Sequence, residues 1–303
     1  MFRSLGLLVA GSFAFSGAQA AEQRVLNHED LWLMPRVSAP VLSPDGRHVV
    51  FTLTEPAYKA EDQVSDLWLV PADGSAEPRR LTASRAPEAG VVWSRDSRRI
   101  AFSTKREADA QNQIYVLDVD RAGEAQRVTS LSTGARTPQF SPDGQRILFV
   151  SNLHPDAASE EDSKRLAEEQ KNRKYNARVY TGFPIRNWDR WLDETRPRVF
   201  VQTLGEAEAR DLLAGTALLK NSGYDGRTTP GSSELEPVWA PDGESIVFVA
   251  TTNRDRSAFD FTHADLWQVP VAGGEPRRLT NAGVEGVGDS YATPRFTPDG
   301  RQL

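Results

Sequence analysis

The sequence contains no cysteine, only 4 histidines and 2 methionines. Without cysteine there is no disulfide framework, no thiolate metal site and no cysteine nucleophile. The histidines are scattered, with no close pair, so no metal or cofactor is expected from them or from any other residue pattern. Lys and Arg number 36 against 42 Asp and Glu, a formal charge of −6, and the basic excess of a nucleic-acid binder is missing. Long apolar runs are missing too. The main one, Leu5 to Phe15, is shorter than the roughly 20 residues of a membrane span. What remains, 39% hydrophobic and 26% charged over 303 residues, is the composition of a globular chain with one large domain or two ordinary ones.

That apolar run reads as an address. Arg3 supplies the positive end, and Ala18-Gln19-Ala20 is a small-residue cleavage site. A signal peptide over 1–20, cleaved after Ala20, is expected, with a periplasmic or secreted product and no membrane attachment afterwards. A cysteine-free exported chain suits a Gram-negative periplasm.

The remainder repeats. Ser43-Pro44-Asp45-Gly46 recurs as Ser94-Arg95-Asp96-Ser97, Ser141-Pro142-Asp143-Gly144, Ala240-Pro241-Asp242-Gly243 and Thr297-Pro298-Asp299-Gly300. An apolar residue precedes each copy (Leu42, Trp93, Phe140, Trp239, Phe296). A strand pattern follows: Val49 and Phe51, Ile100 and Phe102, Ile147 and Phe149, Ile246 and Phe248. Residues two apart share one face of a strand. Third segments come next, such as Asp66-Leu67-Trp68 and Asp265-Leu266-Trp267, and short fourth segments such as Arg80-Leu81-Thr82 and Arg278-Leu279-Thr280. Pro pre-sets φ in the repeated turn, and Gly accepts positive φ at its end. The copy at 94–97 has neither and is expected to be the loosest.

Four short antiparallel strands per unit of about 45 residues indicate an all-β chain, a β-propeller of four-stranded blades. Blades are expected at roughly 39–83, 90–130, 137–214 and 236–281 with a fifth begun at 293, an incomplete propeller of about four and a half blades over 39–303. Residues 21–38 form a lead-in.

The third unit is longer than the others, and the excess lies at about 153–196. Its first half predicts a solvated helix capped by Ser159 or Asp156, with Glu160–Lys164, Glu161–Arg165 and Glu169–Arg173 as i,i+4 pairs. Its second half crowds Tyr180, Phe183, Trp188 and Trp191 among Arg186, Asp189, Arg190 and Asp193. Such rings either pin an insertion to its blade or wall a pocket.

The stretch from His28-Glu29-Asp30-Leu31-Trp32-Leu33 to Pro44-Asp45-Gly46 resembles the start of prolyl oligopeptidase family serine peptidases, in their acylaminoacyl-peptidase and dipeptidyl-peptidase branch. Phe183-Pro184-Ile185-Arg186-Asn187-Trp188-Asp189-Arg190-Trp191 is similar to an Arg-His-Trp-Asp-x-Trp stretch of the dipeptidyl-peptidase members, with Asn187 in place of the His. The resemblance implies a C-terminal α/β-hydrolase domain bearing a Ser–Asp–His triad on a Gly-x-Ser-x-Gly elbow. No such elbow occurs in this sequence, so no catalytic residue is expected in it and the chain alone should be inactive. It also implies seven blades and a propeller that admits short peptides and excludes folded proteins. A dipeptidyl peptidase must hold its substrate's free ammonium with carboxylates. Arg186, Trp188, Asp189, Trp191, Glu160 and Glu161 are the candidate substrate-binding residues on this basis. Two other readings stay open: a TolB-like propeller that only binds protein partners, and a propeller glycosidase or lyase with paired carboxylates at its axis. The oligomeric state is not legible.

Overall fold

The computed structural model describes residues 25–303, apart from 85, 122, 176, 178–179, 181–182, 188, 193–194, 230–231 and 281–288. The expected signal peptide therefore lies outside the described residues. A short helix α1 (His28–Trp32) precedes the first sheet, β1 (Arg36–Leu42), β2 (His48–Glu55), β3 (Val64–Pro71) and β4 (Arg79–Arg80). The second sheet is β5 (Ala89–Trp93), β6 (Arg99–Thr104), β7 (Gln113–Asp118) and β8 (Gln126–Arg127). The third opens with β9 (Arg136–Phe140) and β10 (Arg146–Leu153). It is interrupted by helix α2 (Glu160–Lys171) and a hairpin of β11 (Arg186–Asn187) and β12 (Arg190–Trp191), and resumes with β13 (Arg196–Thr203) and β14 (Arg210–Asp211). Helix α3 (Ala217–Lys220) and a hairpin of β15 (Arg227–Thr229) and β16 (Ser232–Glu234) lead to the fourth sheet, β17 (Val238–Trp239), β18 (Ser245–Ala250), β19 (Asp265–Pro270) and β20 (Arg277–Arg278). Each four-stranded sheet is antiparallel with its strands in chain order.

Four of the five repeated turns close by the same bonds, and the copy at 240–243 keeps the backbone closure without the hydroxyl, since Ala240 has none. Ser43 Oγ donates to Asp45 Oδ1 at 2.6 Å, the Gly46 N–H donates to the Ser43 carbonyl, and the His48 N–H donates to Ser43 Oγ. The hydroxyl of Ser43, Ser94, Ser141 or Thr297, with a backbone N–H, holds Asp45, Asp96, Asp143 and Asp299 below the usual carboxylate range. The turn at 94–97 is not loose. Ser94 Oγ donates to Asp96 Oδ1 at 2.5 Å, Ser97 takes φ +60°, and its Oγ accepts the Asp45 N–H of the neighbouring blade at 3.1 Å. A side-chain hydroxyl thus replaces what Pro and Gly supply elsewhere, and ties two blades together. At Thr297 the turn forms, with the Thr297 N–H on the Gln302 carbonyl at 2.9 Å, but 291–303 contain no strand. A hairpin's turn bonds are local, whereas a ladder needs a packed face beside it.

Innermost strands β1, β5 and β9 contact one another in turn. Trp93 Nε1 donates to the Val41 carbonyl at 3.1 Å, and Trp239 Nε1 to the Gln139 carbonyl at 3.3 Å. The Trp before a turn is therefore an inter-blade bond. Trp93→Phe and Trp239→Phe are each expected to lower stability by about 1–2 kcal/mol, because an indole donor to a part-buried carbonyl is lost. Equal melting of parent and variants would show these bonds to be silent.

Arg99 and Arg146 repeat a second link. Each reaches the next blade's turn, the Gly144 carbonyl at 2.8 Å and the Gly243 carbonyl at 3.1 Å. On the way Arg99 lies over Phe140 and Arg146 over Trp239.

Both faces of the middle sheets are buried. Ile100 and Phe102 pack with Val50, Leu67 and Leu69 of the first blade. Ala101 packs with Ile147, Phe149 and Phe200 of the third. Leu148 and Val150 turn the other way, to Trp239, Ile246 and Phe248 of the fourth. Alternation along a strand here selects which neighbour a side chain meets, not whether it is buried.

The outer strands sit one or two residues earlier than the sequence pattern suggests. The ladder covers Arg79–Arg80, not Leu81–Thr82. The Leu67 N–H bonds Thr82 Oγ1 at 2.9 Å, and Thr129 and Thr280 take the N–H groups of Ile114 and Leu266 likewise. The Thr side chain ends each ladder by standing in for a backbone acceptor.

Candidate functional site

The connections β2–β3, β6–β7, β10–β13 and β18–β19 emerge on one face of the blades, opposite the repeated turns. The long insertion is the β10–β13 connection, so the candidate site belongs to this face.

Buried aspartates organise the strand ends there. Asp66 is the third residue of β3 and pairs with Arg80, and Asp265 opens β19 and pairs with Arg278 at 2.8 Å. In the second blade Gln113 stands at this position, and Arg127 turns to Asp109 at 3.2 Å. Tyr115 also donates to Asp109, and burial with that carboxylate pushes its hydroxyl up to about 12.

The third blade exchanges the charges. Trp68 faces Arg80, Trp267 faces Arg278, and Phe200 faces Asp211. Two residues earlier stand Asp66, Asp265 and Arg198. Arg198 is 0% exposed and bonds Asp211 at 2.8 Å. Its other terminal nitrogen donates to the carbonyls of His154 at 2.6 Å, Ala157 at 3.0 Å and Pro155 at 3.2 Å. An aspartate could not donate to those carbonyls. The exchange turns a strand-end ion pair into a clamp on the first residues of the insertion.

Helix α2 follows, capped by Ser159 Oγ on the Asp162 N–H at 3.2 Å. Glu160 accepts the Ser132 N–H at 2.5 Å and lies 3.7 Å from Lys164. Glu161 is exposed, and Arg165 turns to Asp162 and Glu169, not to Glu161. Under the helix N-terminus is a cavity of about 440 Å³, walled by Leu131, Leu153 and Phe200 and carrying Glu160, Glu161, Glu208, Asp211 and Lys164. The excess of carboxylates favours a cationic group. Its walls come from residues after β8 and beside β14, at the outer edge of the second and third blades.

The hairpin is a separate feature. Arg186 faces Trp191, and Asn187 faces Arg190. Trp191 is 52% exposed and stacks on Tyr180 at 6.2 Å, while the Tyr180 hydroxyl donates to the Leu192 carbonyl. Arg186 and Asp189 are exposed, and Trp188 lies outside the described residues. One aromatic pair thus closes the hairpin's base and leaves charged groups outward. Glu160 and Glu161 sit at the cavity, whereas Arg186, Asp189 and Trp191 belong to the hairpin.

Sequence reasoning missed Arg198 and Asp211. Their signal was present as a break in the repeat, a basic residue where Asp66 and Asp265 stand.

Residues 33–172 match the TolB beta propeller domain. Among solved structures, an acylaminoacyl peptidase in complex with Z-Gly-Gly-Phe-chloromethyl ketone superposes with a TM-score of 0.53 at 16% identity, covering 84% of this chain and 33% of the peptidase. The acylaminoacyl peptidase of Pyrococcus horikoshii gives a TM-score of 0.51 at 15% identity, covering 82% of this chain and 32% of the peptidase. The chain has a β-propeller fold. This propeller is also 26% identical over 290 residues to dipeptidyl-peptidase 5 of Porphyromonas endodontalis, across 94% of the chain and 39% of the relative. Dipeptidyl-peptidase 5 of Porphyromonas gingivalis is 25% identical, across 100% of the chain and 42% of the relative. The propeller thus spans about two fifths of the curated relatives it matches, and those relatives are peptidases.

Proposed function

We propose that this propeller is the N-terminal, substrate-gating portion of an exported serine peptidase of the prolyl oligopeptidase type. Its substrates are short peptides, from whose N-terminus dipeptides or acyl-amino acids are released. Its partner is a C-terminal α/β-hydrolase domain, which supplies the triad that this sequence lacks. The likeness to dipeptidyl-peptidase 5 over nearly the whole chain, insertion included, carries this reading. The match to the TolB beta propeller domain supports a second one, a non-catalytic scaffold for protein partners.

The test is an assay of the protein encoded by the complete reading frame. Release of dipeptides from short unblocked or acylated peptides, with no cleavage of a folded protein, is the expected result. Equal cleavage of both substrates would remove the gating role, and no cleavage of either would favour the scaffold. Within that protein Asp189→Ala is expected to lower kcat/KM for unblocked substrates about tenfold, as an exposed carboxylate facing an ammonium is lost. An unchanged kcat/KM would place Asp189 outside the substrate site.

A further inference from the structure

An Asp-Gly pair is open to a rearrangement of its own backbone, because glycine carries no side chain to shield its nitrogen. The sequence has six such pairs, with the aspartates at 45, 73, 143, 225, 242 and 299. A hydroxyl holds five of these carboxylates. Ser43 donates to Asp45 at 2.6 Å, Ser141 to Asp143, and Thr297 to Asp299 at 2.5 Å. Ser75 holds Asp73 with its hydroxyl and its N–H. Ser233 donates to the buried Asp225, which Arg254 also pairs.

Asp242 is the exception. Ala240 stands where the matching turns have Ser or Thr, and among the described residues the carboxylate's one bond is from the Glu244 N–H at 2.8 Å. The rest of the turn is shared. The Gly243 N–H donates to the carbonyl three residues back at 2.9 Å, as do those of Gly46 and Gly144 at 2.9 Å and Gly300 at 2.8 Å. The four glycines take φ between +68° and +73°. Asp45, Asp143, Asp242 and Asp299 are all exposed. Among these four turns the hydroxyl is therefore the difference that bears on the carboxylate.

The rearrangement needs a protonated carboxyl that is free to turn toward the next nitrogen. The glycine nitrogen attacks the side-chain carboxyl carbon. A C–N bond forms, a carboxyl oxygen leaves as water with the nitrogen's proton, and a five-membered succinimide closes. Water then opens the ring at the backbone carbonyl and returns the lost atoms. The chain now runs through the side-chain carbon, as isoaspartate. A donated hydroxyl opposes both requirements, since it favours the ionised carboxylate and fixes its rotamer.

We infer that Asp242 is the site of spontaneous isoaspartate formation in this chain, and that the modification loosens the seam between the third and fourth blades. The second part follows from the Gly243 carbonyl, which accepts Arg146 Nη2 at 3.1 Å. An isoaspartyl link inserts a methylene just ahead of that carbonyl and displaces it from the guanidinium. The site is independent of the peptide reading.

Ageing the folded chain at mildly acidic pH tests it. Each Asp-Gly peptide is then scored for isoaspartate by peptide mapping and by methylation with an isoaspartyl methyltransferase. Isoaspartate is expected to accumulate at Asp242 about tenfold faster than at Asp45, Asp143 or Asp299, the rate factor of one modest hydrogen bond. Ala240→Ser should bring Asp242 down to the rate of Asp143, and Ser141→Ala should raise Asp143 to the rate of Asp242. The isomerised chain, separated by chromatography, should melt below the unaged chain. Equal rates at the four turns overturn the site, as does faster accumulation at any other Asp-Gly pair or no isoaspartate at all. A rate at Asp242 that Ala240→Ser leaves unchanged overturns the role of the hydroxyl. Equal melting of isomerised and unaged chains overturns the loosened seam.

Discussion

Arg198→Ala is expected to destabilise the chain by about 3–5 kcal/mol, because the substitution leaves a largely buried carboxylate without its cation. Asp211 keeps one other bond, from the Leu213 N–H at 2.9 Å, and the carbonyls of His154, Pro155 and Ala157 lose their common donor. Chemical denaturation measures the loss. The more informative variant exchanges the pair, Arg198→Asp with Asp211→Arg, which restores the arrangement of the first and fourth blades. That double variant should recover most of the stability, since an ion pair is present again. It should still expose the insertion to limited proteolysis, since an aspartate at 198 cannot donate to three carbonyls. An insertion as protected in the double variant as in the parent would show that Arg198 does not hold it.

Glu88→Gln is expected to stabilise the chain by about 3 kcal/mol at pH 8 and to be neutral near pH 4.5. Glu88 lies in the connection between the first two blades and is 5% exposed. Ser84 Oγ donates to one of its oxygens at 2.8 Å, and the other is buried without a partner. Burial, aided by repulsion from Asp66, pushes its pKa from 4.5 up to about 7, against the pull of Ser84, Thr82 and Arg106. A carboxyl raised in the folded state favours folding most below its unfolded pKa of 4.5. That contribution fades as pH rises through about 7. Glutamine cannot ionise and keeps an oxygen for Ser84, so it escapes the loss. Unfolding free energies of parent and variant at the two pH values decide the matter. Parallel pH dependences would mean that Glu88 ionises without cost.

Much of this architecture was legible from neighbours in sequence. The Ser-Pro-Asp-Gly turn is closed by bonds spanning five residues, so its recurrence located the first hairpin of each blade. Ile147 and Phe149 do share a face, and Ser159 does cap the insertion helix. Glu160 does meet Lys164, although Arg165 chose Asp162 and Glu169 among equivalent exposed carboxylates. Local spacing makes such pairs available but does not rank them.

The sequence by itself determined the repeat, the four-stranded unit and the place of the long insertion, because each depends on turn chemistry and alternation within a few residues. Only the tertiary structure decided what each blade's second face touches, because Leu148 and Val150 meet Trp239, Ile246 and Phe248 across a gap of some ninety residues. It alone decided that Ser97 completes a turn by bonding Asp45, and that the outer ladders stop where a threonine hydroxyl replaces a carbonyl. It alone gave the charge exchange at Arg198 and Asp211 a purpose, because an arginine becomes a clamp only when three carbonyls from another segment are folded against it.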